Sequence, residues 1–220
     1  MKLGLITGCS RGIGLAILQS LLEKKKNYTI VGTSTTGRYP ISNANFIGHQ
    51  LDLANPASIT SLKDKVSKMS FDFLINNAGV LLEKWDAAAI NSSQLRQTFE
   101  VNLFGTIALT EAVLPLIKKG GHIINVTSSW GAFSEEGFDA YQPHYKMSKA
   151  ALNMYTKLLS KRLENKEITV SSIDPGWTQT DMGGSTARRK PEEAALDFLT
   201  LLDSNVESGQ FWHQGKIRAW

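Results

Sequence analysis

A single cysteine, Cys9, is present in a chain of 220 residues, so no internal disulfide can form. Cysteine used this sparingly is typical of a reducing compartment, and we expect a cytoplasmic protein. No apolar run is expected to approach the roughly 20 residues that cross a bilayer, which argues against a membrane protein. The four histidines show no metal-ligand spacing and have no cysteine cluster beside them, so no metal site is predicted.

Neither sign of charge dominates, because 24 basic and 20 acidic residues leave a net charge of +4. The basic clusters are short, and residues 24–26 are interpreted as the solvated end of a helix. Residues 188–190 either attract an anionic substrate or lie in a solvated loop, and the loop is the favoured interpretation. A nucleic-acid surface needs a longer basic face with interleaved aromatic residues, so no nucleic-acid partner is expected.

The hydrophobic content of 42% is enough to bury one sizeable core. That fits one α/β domain over residues 1–220 better than two small domains. Strands are predicted at residues 3–7, 28–34, 45–50, 71–75, 122–126, 168–173 and 210–213. Helices are predicted at residues 15–23, 56–69, 95–118, 147–162 and 191–202. This alternation predicts a doubly wound parallel sheet with right-handed crossovers.

The first strand leads into a glycine-rich turn, in which Gly8, Gly12 and Gly14 form the pattern Gly-x-x-x-Gly-x-Gly. An amphipathic helix follows the turn. Glycines let backbone N–H groups approach a phosphate, and the helix N-terminus adds partial positive charge. The strand, turn and helix together favour a nucleotide-phosphate site over a plain turn.

Hydroxyl residues rather than an acid follow the second strand, at residues 33–36. An NAD site usually has an acid there, about 20 residues after the glycine turn, to accept the ribose hydroxyls. Arg11 lies inside the turn, and Arg38 follows the strand. The absence of a carboxylate and the presence of basic residues favour NADPH over NADH. A carboxylate at this place would repel the 2′-phosphate of NADPH. Arg11 either holds that phosphate or only caps the turn.

Polar residues also follow later strands, at the sheet edge where open α/β sheets bind ligands. Asp52 either accepts a hydrogen bond from an adenine amino group or caps the turn before a helix that begins at Asn55-Pro56. Residues 76–79, Asn-Asn-Ala-Gly, are interpreted as backbone packed close to a ligand, with a plain turn as the alternative. Asn102 stands on an apolar helix face, where it is either a kink with a bound water or a functional group.

Tyr145 and Lys149 are four residues apart in a helical run and therefore project from one face. A tyrosine hydroxyl has an ordinary pKa of about 10, and a lysine one turn away is expected to lower it. Such a pair can donate a proton to a carbonyl oxygen or remove one from an alcohol. Alone the pattern is weak, because many surface helices contain it by chance.

In their order along the chain, these motifs resemble the short-chain dehydrogenase/reductase family. They are Thr-Gly-x-x-x-Gly-Ile-Gly, Asp52, Asn-Asn-Ala-Gly, Asn102, the serine run at 127–131, Tyr-x-x-x-Lys and Pro-Gly. The resemblance covers essentially the whole chain and implies a Rossmann-type fold. Residues 175–184, 191–193, 208–211 and Trp220 narrow it to carbonyl reductases of the C-factor/sniffer type.

The resemblance implies a catalytic set of Asn102, Ser128, Tyr145 and Lys149, with Ser129 as the less favoured substitute for Ser128. It implies NADP(H) as cofactor, with Thr180 and the backbone near Thr178 at the carboxamide. Ser10, Arg11 and Thr35 would lie at the 2′-phosphate. The implied cofactor-binding residues are Gly8, Ser10, Arg11, Gly12, Ile13, Gly14, Thr35, Asp52, Leu53, Asn77, Ala78, Gly79, Tyr145, Lys149, Pro175, Gly176, Thr178 and Thr180.

The activity implied is NADPH-dependent reduction of a small ketone, aldehyde or quinone, with Tyr145 as proton donor and Asn102 supporting a water relay to Lys149. One alternative is an NADP(H)-binding regulatory or signalling protein with little turnover. A sugar-nucleotide epimerase shares the Tyr-x-x-x-Lys pair, but the short chain and the glycine spacing weigh against it.

The resemblance also bears on the surroundings of the site. The interval between Ser128 and Tyr145 is longer than usual, so residues 130–142 are expected to form an extra lip at the substrate mouth. Trp130, Phe133, Tyr141 and Trp177 either line an apolar pocket or belong to the core. The usual tetramer-forming C-terminal sequence is absent, so a monomer or homodimer is expected, with helices 95–118 and 147–162 as dimer faces.

Overall fold

The computed structural model describes residues 1–25 and 27–220, and within them eight strands form one sheet. The strands are β1 (Lys2–Ile6), β2 (Tyr28–Ser34), β3 (Phe46–Gln50), β4 (Phe71–Asn76), β5 (Ile117–Val126), β6 (Thr169–Asp174), β7 (Gln210–His213) and β8 (Lys216–Arg218). The helices are α1 (Gly12–Lys24), α2 (Pro56–Val66), α3 (Ser92–Phe99), α4 (Thr106–Val113), α5 (Pro143–Arg162) and α6 (Pro191–Asp203).

The strand order is β3-β2-β1-β4-β5-β6-β7-β8, with every pair parallel except β7 and β8. Successive residues of a strand face opposite sides of a sheet. Leu74 therefore packs with α2, α4 and α5, whereas Ile75 packs with α1 and α6. Both faces are covered by helices, which confirms the predicted doubly wound α/β sheet.

The chain order of the strands reverses between β1 and β4. The turn after β1 and the Asn-Asn-Ala-Gly segment after β4 consequently leave the sheet side by side. A crevice at this switch point is where doubly wound sheets bind ligands. The polar segments predicted at strand ends are therefore gathered at one edge.

The predicted helix over residues 95–118 is wrong at both ends. The helical run begins at Ser92, and Asn91 caps it by accepting the N–H groups of Ser93 and Gln94. It ends at Leu116, because Ile117 starts β5 by pairing with Phe71. The next residue, Lys118, pairs with Asp72 of β4 instead of continuing the helix.

Three other helices differ at their ends from the sequence interpretation, and one of them, α2, ends at Val66, three residues before the predicted end at Met69. Helix α5 begins at Pro143, four residues before the predicted start at Met147, so Tyr145 lies in its first turn. Helix α1 ends at Lys24, and Lys25 is not merely solvated because it pairs with Asp203 at 2.7 Å. Lys26, the last residue of that predicted basic end, lies outside the described residues.

One helical run of 25 residues, from Ser92 to Leu116, has the length and composition of a membrane span. This corrects the expectation that no apolar run approaches that length. The run is weak support for a membrane segment, because core helices of globular proteins have the same properties. In this fold, α3 packs against α5, and α4 packs against α2.

Candidate active site

Two adjoining cavities open at the carboxyl edge of the sheet, and Tyr145 lines both. The larger has about twice the volume of the smaller. Of the predicted cofactor-binding residues, Gly176 and Thr178 line the smaller cavity only. The others line the larger cavity: Gly8, Ser10, Arg11, Gly12, Ile13, Gly14, Thr35, Asp52, Leu53, Asn77, Ala78, Gly79, Tyr145, Lys149, Pro175 and Thr180.

The floor of the larger cavity requires glycine where the turn meets β4. Gly8 has φ +73°, a conformation that side chains with a Cβ rarely adopt. A Cβ on Gly14 would lie 2.2 Å from the Gly8 carbonyl oxygen and 2.4 Å from the side-chain nitrogen of Asn77. That nitrogen donates to the carbonyl of Thr7 at 2.9 Å. Asn77 therefore ties the end of β4 to the glycine turn.

Arg11 lies at the mouth of the larger cavity, where its Nη1 is 2.7 Å from Asp181 Oδ2. Both side chains are largely exposed, at 78% and 75%. Arg11 occupies the cap position of α1 with extended backbone, but its side chain makes no capping hydrogen bond. The alternative in which the Arg11 side chain only caps the turn is therefore wrong, and its phosphate role stays a prediction.

Thr35 and Asp52 line the same cavity from the ends of β2 and β3. Asp52 Oδ1 accepts the N–H of Ala54 at 2.9 Å, so it caps a local turn while also facing the cavity. The two interpretations of Asp52 are thus compatible. Asn55 caps α2, which starts at Pro56 as predicted. Arg38 is exposed and lies outside the cavity lining.

Tyr145 and Lys149 are both buried on one side of α5. Lys149 Nζ donates to the carbonyl of Val126 at 2.8 Å and lies 5.5 Å from the centre of the Tyr145 ring. Burial lowers the pKa of Lys149 to about 8, because an ammonium loses its hydration there.

Burial raises the pKa of Tyr145 above its ordinary value, and the nearby charge of Asp174 raises it further. The nearby hydroxyl of Ser128 opposes this rise in the pKa of Tyr145. The expectation that Lys149 lowers the pKa of Tyr145 is wrong for this structure, because removal of the phenol from water dominates.

Asn102 lies under the cavities, fully buried in a π-helical turn between α3 and α4. Its Oδ1 accepts the N–H of Val80 at 2.7 Å, and its Nδ2 donates to the Val80 carbonyl at 2.9 Å. Nδ2 also donates to Ser148 Oγ at 3.0 Å. The helical run widens into a π turn at Asn102, and the amide links the loop after β4 to α5. π turns are frequent at functional sites.

Gly79 shows how closely this polar group is packed. An ideal Cβ built on Gly79 lies 3.2 Å from Asn102 Oδ1 and 3.5 Å from Lys149 Nζ. A side chain at this position would be tight against Asn102 and in ordinary contact with Lys149. The glycine that ends the Asn-Asn-Ala-Gly segment therefore leaves room for the side chains of Asn102 and Lys149 on either side of it.

Ser128 lines the smaller cavity beside Tyr145, at the end of β5. Its Oγ accepts the N–H of Trp130 at 3.2 Å and caps a short 3₁₀ turn. Ser129 lines the same cavity. Both serines line this cavity, so the preference for Ser128 over Ser129 still depends on the motif spacing.

Tryptophans surround the mouth of the smaller cavity. The ring of Trp85 lies 5.8 Å from Trp130 and 6.2 Å from Trp177, measured between centroids. Trp130 and Trp177 line the cavity, as one interpretation proposed. Phe133, at 91% exposure, and Tyr141 do not belong to its lining, which corrects the other half of that set.

The loop after β6 runs between the two cavities. Gly176 has φ +74°, and its N–H donates to Asp174 Oδ1 at 3.0 Å. Arg189 Nη1 donates to the Pro175 carbonyl at 2.6 Å and pairs with Asp197 at 2.7 Å. Arg189 is therefore not a solvated loop residue, as residues 188–190 were interpreted, but holds the loop in place.

Trp85, Leu81, Met182 and Asp174 also line the smaller cavity, although the sequence interpretation did not include them. Trp85 was the most accessible to prediction, as an aromatic residue shortly after a ligand-binding motif. Among residues 1–25 and 27–220, no group of three or more His, Cys, Asp or Glu side chains is arranged to hold a metal ion.

Known proteins resemble this chain in sequence and in fold. A family model described as short chain dehydrogenase matches residues 2–191. NADPH carbonyl reductase 1 of Mus musculus is 28% identical over an alignment 272 positions long, covering 98% of this chain and 97% of its own. The NADPH-bound carbonyl reductase from chicken fatty liver has a TM-score of 0.89 at 27% identity, covering 100% of this chain and 94% of that one.

Carbonyl reductase Sniffer of D. melanogaster has a TM-score of 0.88 at 27% identity, and each chain is covered completely. The family model, the mouse relative and these two solved structures together confirm the resemblance seen in the motifs.

Proposed function

Because the chain belongs to the short-chain dehydrogenase/reductase family, we propose that it reduces the carbonyl group of a small ketone, aldehyde or quinone. It is an NADP-dependent oxidoreductase, with carbonyl reductases among its relatives and structural neighbours. One observation carries the finer proposal: Tyr145 lies where the two cavities meet, with Lys149 in the larger and Ser128 in the smaller.

The residues of the larger cavity fit NADP(H). The glycine turn brings backbone N–H groups to the cavity, and the first turn of α1 has no side-chain cap. A phosphate there meets the positive end of a helix. Arg11 with the hydroxyls of Ser10 and Thr35 would hold the 2′-phosphate, and Asp52 would hold the adenine. Thr180, which lines both cavities, would hold the carboxamide.

The chain's own part in the reaction is to hold the carbonyl oxygen and supply a proton. When bound, NADPH supplies a hydride to the carbonyl carbon. Ser128 and Tyr145 donate hydrogen bonds to the carbonyl oxygen, and the Tyr145 hydroxyl gives up its proton as negative charge develops there. The Tyr145 hydroxyl is protonated near neutral pH, as an ordinary tyrosine is. Its raised pKa makes it a weak acid, so it releases the proton only as negative charge develops on the carbonyl oxygen.

Lys149 would return a proton to Tyr145 after each turnover. A pKa of about 8 makes its ammonium a better proton donor near neutral pH than an ordinary lysine. Asn102 would support a water relay to Lys149. Its amide is bonded to Val80 and Ser148, so its contribution would be to hold the π turn open at that place.

The smaller cavity favours an apolar carbonyl compound. Trp85, Trp130 and Trp177 present ring surface at its mouth, and Tyr145 forms its inner end. Flat apolar groups pack well against such rings. The buried free thiol of Cys9 is compatible with the cytoplasm as the compartment.

Replacement of Tyr145 by Phe tests the proposal directly. We expect Tyr145→Phe to lower kcat at least about 100-fold, because the proton donor is removed. The Kd for NADPH should stay within about twofold, since the ring and the rest of the cavity remain. Loss of NADPH absorbance with aldehydes, quinones and diketones measures turnover, and nucleotide titration measures binding.

Tyr155→Phe is the matched control, because this second tyrosine of α5 bonds to Glu111 outside both cavities. It should keep the wild-type kcat. Near wild-type turnover in Tyr145→Phe would refute the role of Tyr145. Tight NADPH binding by the wild type without reduction of any carbonyl would favour the regulatory alternative.

A further inference from the structure

A carboxylate outside the cavities lies buried at the start of the helix that carries Tyr145. Glu83 belongs to the loop of residues 77–91, between β4 and α3, and its side chain is only 1% exposed. Burying a carboxylate is costly unless several donors surround it. Its position therefore calls for a structural reason.

Glu83 Oε1 accepts two backbone N–H groups from α5, that of His144 at 2.7 Å and that of Tyr145 at 3.1 Å. These are the second and third residues of the helix, whose N–H groups have no partner within the helix. Gln142, the cap residue, has φ +48° and makes no side-chain cap. The cap of α5 is thus supplied by a residue 62 positions before Tyr145.

Further contacts attach the same loop to the start of α5. The Gln142 side chain donates to the carbonyls of Lys84 and Trp85, and its backbone N–H donates to the Ala87 carbonyl at 2.8 Å. Gln142 is itself buried, at 2% exposure. Loop and helix therefore meet through their main chains as well as through Glu83.

His144 extends the contact to the next helix. Its Nδ1 lies 3.1 Å from Glu83 Oε1, and its Nε2 accepts the N–H of Asn91, the cap residue of α3, at 3.0 Å. An accepting Nε2 leaves the ring proton on Nδ1, which lies near the carboxylate without meeting hydrogen-bond geometry. The His144 side chain is completely buried.

We propose that Glu83 is a positioning residue for the reaction, which fixes the first turn of α5 and thereby the hydroxyl of Tyr145. The inference rests on the proposed function, because it assigns Glu83 a part in the reaction of that site. A negative charge at a helix N-terminus is also stabilised by the helix dipole. The same loop also contains Trp85, which lines the smaller cavity. Glu83 therefore connects the loop at the mouth of that cavity to the helix that carries Tyr145.

Two substitutions separate the reach of the Glu83 side chain from its charge. Glu83→Gln keeps an acceptor oxygen at the same distance from α5 but removes the charge. Glu83→Asp keeps the charge but is shorter by one methylene. If an acceptor in the right place is what matters, Glu83→Gln retains kcat within about threefold, whereas Glu83→Asp loses about tenfold or more.

The Kd for NADPH should change less than about twofold in both variants, since Glu83 touches neither cavity. Asp86→Ala, an exposed acid of the same loop, is the matched control and should keep the wild-type kcat. A merely structural role would lower thermal stability and leave kcat of the folded fraction unchanged.

Hydrogen exchange of the apo protein tests the contact without any turnover. The amides of His144 and Tyr145 should exchange at least about tenfold faster in Glu83→Asp than in the wild type or Glu83→Gln. If the wild type reduces no carbonyl, the proposed function fails while exchange still tests the cap. Equal exchange and equal kcat in all variants, or a lower kcat in Glu83→Gln than in Glu83→Asp, would overturn the inference.

Discussion

Of the Tyr145–Lys149 pair in the candidate site, Lys149 has the pKa that lies nearer to neutral pH. Burial lowers the pKa of Lys149 to about 8, and burial raises that of Tyr145 above its ordinary value. Between neutral pH and pH 9 only Lys149 of this pair therefore changes its protonation. Any decline of reduction in this range would report the lysine and not the tyrosine.

We expect kcat for carbonyl reduction to be level below pH 8 and to fall as pH rises through about 8. The rate falls as pH rises because reduction uses the protonated form of Lys149. Since a single proton is lost, kcat approaches a decline of about tenfold per pH unit. Steady-state rates at saturating NADPH measure the profile.

Lys149→Arg is the informative variant, because a guanidinium keeps its charge throughout this range. Whatever activity it retains should show no decline near pH 8. The same decline in Lys149→Arg would assign it to another group.

Strands β5 and β6 carry a second buried titrating group, far from the cavities. His122 Nε2 lies 2.8 Å from Ser171 Oγ, and burial lowers the pKa of His122 to about 4 from an ordinary value of 6.5. Between these pH values the unfolded chain binds a proton that the folded chain does not. The free energy of unfolding therefore falls as pH drops from about 6.5 to 4.

The full shift of His122 corresponds to roughly 3 kcal/mol of stability lost across that window. Urea unfolding at a series of pH values measures it. His122→Gln, which can still bond to Ser171 but does not titrate, should show a shallower decline. Identical slopes in the two proteins would contradict the assignment to His122.

The elements could be predicted largely from their apolar periodicity, as β7 (Gln210–His213) shows. Errors arose where strand pairing overrode the helical preference of the local sequence. Ile117, for example, belongs to β5 because it pairs with Phe71 of β4. Strand β8 was missed, although Gly215 is a residue type that favours a hairpin turn. In the structure Gln214 and Gly215 both have positive φ, as a two-residue hairpin turn requires.

The predicted cofactor-binding residues come together for a general reason, since parallel strands end at one edge of the sheet. Glu83 was missed because nothing in the linear sequence links its loop to α5. Trp85 follows the Asn-Asn-Ala-Gly segment closely, but its proximity to Trp177 depends on how the two loops fold. The shift in the pKa of Tyr145 was also beyond prediction. It depends on how deeply the hydroxyl is buried, which residue spacing does not report.

For the molecule as a whole, the expected consequence of cofactor binding is a gain in stability. A ligand that binds only the folded chain stabilises it by about 2.7 kcal/mol when present at 100 times its Kd. We expect NADPH to raise Tm more than NADH at equal concentration, because only NADPH offers a 2′-phosphate to Arg11. Thermal unfolding with each nucleotide measures the difference.

Arg11→Ala should remove most of the preference for NADPH, because a hydrogen bond between charged groups contributes about 1.5–3 kcal/mol. The ion pair with Asp181 is exposed, so its loss should leave Tm without nucleotide nearly unchanged. Arg38→Ala is the matched control, since Arg38 is exposed outside the cavity lining. An unchanged preference in Arg11→Ala would refute the phosphate role.

The three tryptophan side chains at the mouth of the smaller cavity affect the fluorescence of the protein. The chain has five tryptophans, and Trp85, Trp130 and Trp177 stand together beside the cavity in which the carbonyl would be held. Their ultraviolet emission overlaps the absorption of a reduced nicotinamide, so energy would pass from the indoles to the bound coenzyme. The protein's own fluorescence would then dim as the coenzyme enters and recover as it is oxidised, giving a label-free record of each turnover.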